Sequence, residues 1–306
     1  MTGGRAHVAE IAFLGFGELG AALAGRLVCS GHSVRAWTRP ARDAAGAEAL
    51  SARMSAAGVY PASSVEQAVS GAAGVLAAVP AGASAEVAAA AAMHLGEGAL
   101  YVDLSAASPA IKRAGAARLA EQGAYYVDVA VLGTVAVTGW ATPMVASGEG
   151  AAAFRDLATA SDLEVRTIDG SAGDAALVKL LRSVYMKGRD ALVVEMLLGA
   201  RRHGLEDVVM DSIGGPGERV PFRSLSDRVM TGLAVHAGRR AEELASSAEV
   251  LRQAGVEPIV TEAGAERLRS LGALGLREAF GGERPEDARR VLEAIEERSG
   301  EAPADA

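Results

Sequence analysis

Gly15, Gly17 and Gly20 stand at the spacing Gly-x-Gly-x-x-Gly, directly after a short apolar run, Val8-Ala9-Glu10-Ile11-Ala12-Phe13-Leu14. Backbone without side chains can turn tightly and present its N–H groups, and the chemistry suited to such a turn is the holding of a diphosphate. Gly15 then makes the turn, Gly17 lets the diphosphate approach the backbone, and Gly20 lets the next helix close on the strand. Phe16, Glu18 and Leu19 fill the positions between them. The Ala/Leu pattern that follows, stopped at Ser30-Gly31, is a helix whose free N–H groups and positive dipole end face the same anion.

A second group with chemical potential lies far along the chain. Of thirty basic residues only Lys112, Lys179 and Lys187 are lysine, so arginine is the default cation. Two of the three share one helical stretch, Ser171 to about His203. On it Lys179, Arg182, Ser183, Lys187 and Asp190 form one stripe, opposite Leu177, Leu181 and Val184. Beyond Asp190 the same azimuth turns apolar at Val193, Val194 and Leu197, with Glu195 opposite. A helix running out of a cleft into a core switches in this way, whereas a solvent-facing stripe with a snorkelling Lys179 would stay polar. In a cleft, partial desolvation beside another cation lowers a lysine's pKa and fits it to give and retake a proton.

The elements that must position these groups alternate. After the first strand and helix come a strand at 33–38, a helix at about 42–57, a short strand at 59–60 and a helix near 65–69. A strand at 74–80, a helix at about 83–93 and a strand at 99–104 follow. Ser108-Pro109 starts another helix, with Ser as cap and Pro at the first position, and it ends near Gln122-Gly123. Ala124–Val131 reads as a sixth strand; 143–147 and 164–168 flank a helix at 151–160. Near-continuous apolar strands alternating with helices indicate a doubly wound, mainly parallel sheet covered on both faces. From Gly170 the pattern is helical, with a second long helix at 234–254, a loop at Gly214-Gly215-Pro216-Gly217 and a frayed Glu301–Ala306. The division expected is 1–170 for the α/β domain and 171–306 for an all-α domain, joined by the long helix.

Composition narrows the class. Half the residues are apolar but only 4% are aromatic, so Ala, Val and Leu build the core. No leader-like segment or run of eighteen apolar residues occurs, which points to a cytoplasmic protein. Cys29 is the only cysteine, and no His/Asp/Glu spacing suggests a metal. A net charge of −8 disfavours nucleic acid.

The second strand ends Trp37-Thr38-Arg39-Pro40-Ala41-Arg42, with no acid to hold a ribose 2′-hydroxyl. A carboxylate there would repel a 2′-phosphate, whereas a guanidinium binds one bidentately and stacks on adenine. NADPH is therefore favoured over NADH, unless Arg39 and Arg42 are simply exposed arginines.

Over nearly its whole length the chain resembles the β-hydroxyacid dehydrogenases, the group that includes 6-phosphogluconate and 3-hydroxyisobutyrate dehydrogenases and is related to imine reductases. The resemblance is carried by Gly15–Gly20, by Asp103-Leu104-Ser105-Ala106-Ala107-Ser108-Pro109, by Asp128–Gly133 and by Gly173–Lys179. Lys187-Gly188 and His236–Arg240 look more like the branch with a phosphogluconate-dehydrogenase-like C-terminal domain. The resemblance implies a Rossmann domain followed by an all-helical domain that pairs in a homodimer. It implies Lys179 as the catalytic proton donor. Thr38, Val79, Pro80, Ser105, Ala106 and Arg240 would join the glycine turn and Arg39 around the cofactor. Ser105, Leu132, Gly133, Thr134, Ser183, Lys187 and His236 would meet the substrate.

The chain departs from the family where Ser-Gly-Gly usually holds a substrate carboxylate: here stands Leu132-Gly133-Thr134, and Leu132 offers an apolar wall. Ser183 replaces a usual Asn. The reading is an NADPH-dependent reductase of a small-molecule carbonyl. Reduction of a C=N bond and a non-catalytic NADP-binding protein are its two rivals.

Overall fold

Alternation along β1 (Glu10–Leu14) organises the first unit of the fold. Ile11 and Phe13 enter one buried cluster, while Ala12 and Leu14 enter another. Side chains of successive strand residues point to opposite faces, so both faces of the sheet are covered. The same division holds in β4 (Gly74–Ala77), where Leu76 joins the Phe13 cluster and Val75 and Ala77 the other. The computed structural model describes residues 8–215 and 219–300. Pro216 and Gly217 of the expected loop, and Glu301–Ala306, lie outside the described residues.

The remaining strands are β2 (Ser33–Trp37), β3 (Tyr60–Pro61), β5 (Leu100–Asp103), β6 (Tyr125–Val131), β7 (Met144–Ser147) and β8 (Val165–Thr167). Their order is β3-β2-β1-β4-β5-β6-β7-β8, and every neighbouring pair is parallel except β6 with β7. The crossovers run through α1 (Glu18–Cys29), α2 (Ala44–Ala56), α3 (Val65–Val69), α4 (Ser84–Ala92) and α5 (Pro109–Ala120). α6 (Val135–Thr138) follows β6, and α7 (Ala151–Ala160) joins β7 to β8. Local chemistry sets several of these boundaries. Ser108 caps α5 by accepting the Ile111 N–H, with Pro109 at the first helical position, as read from the sequence.

α8 (Asp174–His203) belongs to both units, because the packing of the chain divides between Arg182 and Ser183. The second unit continues with α9 (Glu206–Ile213), α10 (Phe222–Gln253), α11 (Ile259–Ala273), α12 (Leu276–Ala279) and α13 (Ala288–Ser299). Its buried centre includes Ala234, Leu276 and Val291. α10 starts at Phe222, well before the expected Ala234. Gly232 costs a helix only about 1 kcal/mol relative to Ala, too little to break it, and Pro221 stands where a helix begins.

The expected passage of α8 into a core is not what the chain shows. Leu177, Leu181 and Val184 are exposed, and so are Val193 and Val194 on the face predicted to enter the core. The polar side chain that goes in beyond Asp190 is Glu195, 7% exposed, whose carboxylate accepts the N–H groups of Val260 and Thr261 at 2.7 and 3.0 Å. Burial pushes its pKa up, but these bonds and one from the Thr261 hydroxyl outweigh it and hold the carboxyl below its usual range. Glu195 thus serves as the acceptor at the N-terminus of α11, where N–H groups would otherwise lack partners.

Candidate active site

At the end of β1 the chain turns through Gly15 with φ +93°, and a Cβ there would lie 2.4 Å from the Ala78 carbonyl oxygen. No other residue fits. The Gly15 N–H donates to the Trp37 carbonyl at 2.8 Å, tying the turn to β2. Gly20 is equally constrained, since its Cβ would meet the Gly15 oxygen at 2.6 Å. Gly17 is different: nothing lies within 4 Å of the place its side chain would take. It caps α1 without a side-chain acceptor, so the N-terminus of that helix is left without a side-chain cap.

This turn lines a cavity of about 780 Å³. Gly15 through Gly20 form one wall, with Trp37, Thr38 and Arg39 beyond β2, and Val79-Pro80 beyond β4. Leu104, Ser105 and Ala106 follow β5, and Val131 and Gly133 close the β6 end. Every one of these groups stands at the carboxyl end of a parallel strand. The cavity spans the point where sheet order reverses between β1 and β4, the usual place for a ligand in an open α/β sheet. The bare N-terminus of α1 and the open space over Gly17 fit a diphosphate, and Arg39 fits a further phosphate.

Lys179 lines the same cavity, half-buried. Its pKa is lowered, first by loss of solvent, then by the positive charges of Lys112 and Arg182, with Asp128 opposing. What fixes Lys179 in place is the start of α8. Asp128, at 0% exposure on β6, accepts the N–H groups of Gly173 and Ala176 at 3.0 and 2.8 Å. Ser147 on β7 accepts that of Ala175 at 3.0 Å. Gly173 has φ +102°, and a Cβ would press on the Pro109 carbonyl at 3.0 Å. The stretches Asp128–Gly133 and Gly173–Lys179, separate in sequence, are therefore one construction.

Behind it lies Lys112, fully buried on α5. Its ammonium is 3.3 Å from Asp103 Oδ1 and 3.0 Å from Asp128 Oδ1, and it donates to the Asp103 carbonyl at 2.8 Å. Asp103 also accepts from Ser84 Oγ at 2.7 Å, the Tyr126 hydroxyl at 2.6 Å and the Ser105 N–H at 2.8 Å. Burial would raise the Asp103 pKa; Lys112 and these three donors hold it below the usual carboxylate range. Burial and the Asp103 charge push the Tyr126 hydroxyl far up, so it remains a donor. One buried cation thereby joins the Ser105 turn to the start of α8.

The structure brings most of the sequence-predicted residues of the first unit to this cavity, but not Leu132 or Thr134. Leu132 packs against the buried cluster of Ala130, Val145 and Ala175, which takes the expected apolar wall away from the cavity. Thr134 is exposed at the start of α6. Ser183 and Lys187 belong to the second unit, where Lys187 is exposed and pairs with Asp190 at 3.4 Å. His236 and Arg240 line a cavity of that unit.

Sequence reading missed Arg53, whose guanidinium donates to the Phe16 carbonyl within the glycine turn and lies 5.7 Å from the Phe16 ring. It missed Glu86, in the cavity wall, and Lys112. The rarity of lysine, which singled out Lys179, was a signal for Lys112 as well. Among the described residues no group of three His, Cys, Asp or Glu could hold a metal, and no helix is long and apolar enough to cross a membrane.

Residues 10–159 match the family described as the NAD binding domain of 6-phosphogluconate dehydrogenase. They form an NAD-binding domain of that family. Residues 200–271 match a domain of unknown function, DUF1932, which agrees with the branch suggested by the C-terminal motifs. No curated protein matches the chain. Among solved structures, the conserved protein MTH1747 of unknown function, described as similar to 3-hydroxyacid dehydrogenases, is 28% identical. The match covers 87% of this chain and 99% of that one, with a TM-score of 0.58. An imine reductase from Streptomyces aurantiacus is 22% identical over 94% and 99% of the two chains, with a TM-score of 0.69. An imine reductase from Myxococcus stipitatus, in complex with NADP+, is 18% identical over 93% and 98%, with a TM-score of 0.66. The glycine turn and the Ser105 turn lie within the matched stretch, and Lys179 follows it inside the same packed unit.

Proposed function

We propose that the protein is a cytoplasmic NADPH-dependent reductase of a small-molecule carbonyl, with Lys179 as the proton donor. The observation that carries this reading is that a half-buried lysine of lowered pKa shares one cavity with a dinucleotide-binding turn. A bound reduced nicotinamide supplies the hydride. The residues of this chain do the rest. Gly15–Gly20 and the N-terminus of α1 hold the diphosphate, and Thr38 and Arg39 take the 2′-phosphate. Val79 and Pro80 exclude water on one side, and Ser105, Ala106 and the Gly133 backbone orient cofactor and substrate. Lys179 holds a proton at Nζ and passes it to the oxygen that becomes negative. The exposed apolar residues of α8, Leu180, Leu181, Val184 and Tyr185 among them, support a homodimer in which a second copy covers them.

One observation favours C=N reduction as a second reading. Leu132 is packed away, and Val131 and Gly133 offer no side-chain donor for a substrate carboxylate. The imine reductases share the fold, and the same lysine could protonate nitrogen.

The test is a parallel titration of NADPH and NADH against wild type and Arg39→Asp, followed by ketone and imine panels with Lys179→Ala. NADPH preference that collapses in Arg39→Asp, and turnover that falls about 10²–10⁴-fold in Lys179→Ala with NADPH affinity kept, supports the reading. Equal or better NADH binding removes the role of Arg39. Tight cofactor binding without turnover on either panel overturns the reductase and leaves an NADP-binding protein.

A further inference from the structure

His236 and Arg240 find their place in the helical unit. Arg228, Gly232, His236 and Arg240 recur at every fourth position of α10, so they fall on one face of that helix. Together with Arg284, which lies between α12 and α13, they line a cavity of about 510 Å³. Four of its eight described lining residues are arginine or histidine and none is a carboxylate. In a chain with 38 acids and 30 bases that is the reverse of the average surface.

The two inner guanidiniums converge. A Cβ built on Gly232 would lie 2.9 Å from Arg240 Nη2 and 3.4 Å from Arg284 Nη2, so the bare glycine is the floor over which both reach. Arg284 is held there by its own bonds, Nε to the Thr231 hydroxyl at 2.9 Å and Nη2 to the Arg228 carbonyl. Arg240 is half-buried and has no hydrogen-bond or ion-pair partner among the described residues. Like charges set this close repel, and an uncompensated half-buried guanidinium is costly unless something else supplies the negative charge. A fixed fork, a free fork and an imidazole around one point match the oxygens of a compact multivalent anion.

We infer that this cavity binds a phosphate-class oxyanion, either the free ion or the phosphoryl group of a small molecule, with Arg240 and Arg284 as its bidentate partners and His236 at the rim. Arg240 acts here as a ligand for that anion, within the helical unit, and the inference does not depend on the reductase reading.

The test is calorimetric titration of the full-length protein with inorganic phosphate and with glycerol 3-phosphate, at constant ionic strength in chloride. The wild type is expected to bind one or both. Arg240→Ala loses at least tenfold in affinity, Arg240→Lys keeps part of it, and Gly232→Ala, which pushes into the Arg240 guanidinium, weakens it too. Tighter binding of the ester than of the free ion identifies the phosphoryl group of a small molecule as the ligand; equal binding identifies the ion. Arg269→Ala, an exposed arginine outside both cavities, serves as the control and retains phosphate binding. Absence of saturable binding to either probe, or binding indifferent to Arg240→Ala in a variant whose unfolding midpoint is unchanged, overturns the inference.

Discussion

Lys112 and Arg240 are both cations drawn out of bulk water, one in the sheet unit and one in the helical unit, and their surroundings are opposite. Lys112 faces two carboxylates at 3.3 and 3.0 Å, each with further donors of its own. Arg240 faces a second guanidinium across Gly232 and no carboxylate among the cavity's described residues. A charge the fold itself needs is matched inside the chain, because an unmatched one costs several kcal/mol. A charge left unmatched points outward, to something the chain does not contain. Lys179 lies between the two cases: half-buried, with a lowered pKa and a cavity before it.

The largest effect expected from this contrast is on folding. Lys112→Met leaves Asp103 and Asp128 buried without their common counter-charge, and should lower stability by about 3–5 kcal/mol in urea unfolding. A loss under about 1 kcal/mol would show that the remaining donors suffice, and the contrast with Arg240 would lose its meaning. Smaller is the effect of Glu195→Ala, which strips the acceptor from the start of α11. About 1–2 kcal/mol is expected, with faster amide exchange at Val260 and Thr261 than at Gly173 and Ala176. Uniform exchange across both helix starts would mean that Glu195 is not what holds α11.

The smallest effect concerns pH. Lys179 must be protonated to donate, so reduction should fall as pH rises through its pKa, which lies below the ordinary lysine value. Below that pKa the buried ammonium also costs stability, and the cost is relieved as pH rises. Arg182→Ala removes one of the charges that lower it, and the falling limb should move to higher pH. A limb that stays where it was would assign the titration to another group.

Much of the sheet unit was legible because its signals are local. Ser108-Pro109 announces a helix start by cap chemistry alone, and the glycine turn needs only its immediate neighbours. The alternation of elements supplied the strands, and the resemblance to the β-hydroxyacid dehydrogenases pointed to Val79, Pro80 and Ser105 at their ends. What escaped was decided by packing across long sequence separations. Leu132 was expected in the cavity but found a better home against Val145 and Ala175. Glu195 looked like the polar side of a helix, and its partners are some sixty-five residues further on. The convergence of Arg240 with Arg284 required a loop that carries no sequence motif. The start of α10 was hidden because Gly232 resembles a stop, although the helix absorbs it.

The three glycines of the turn look alike in the sequence, but evolution would not treat them alike. Gly15 and Gly20 are enforced by the backbone itself, which leaves no room for a methyl group at 2.4 or 2.6 Å. Nothing within the chain forbids a side chain at Gly17. Selection at Gly17 therefore comes only from the visitor. A descendant that stopped binding its dinucleotide would keep the first and third glycines for as long as it folded, and the middle one would be free to drift.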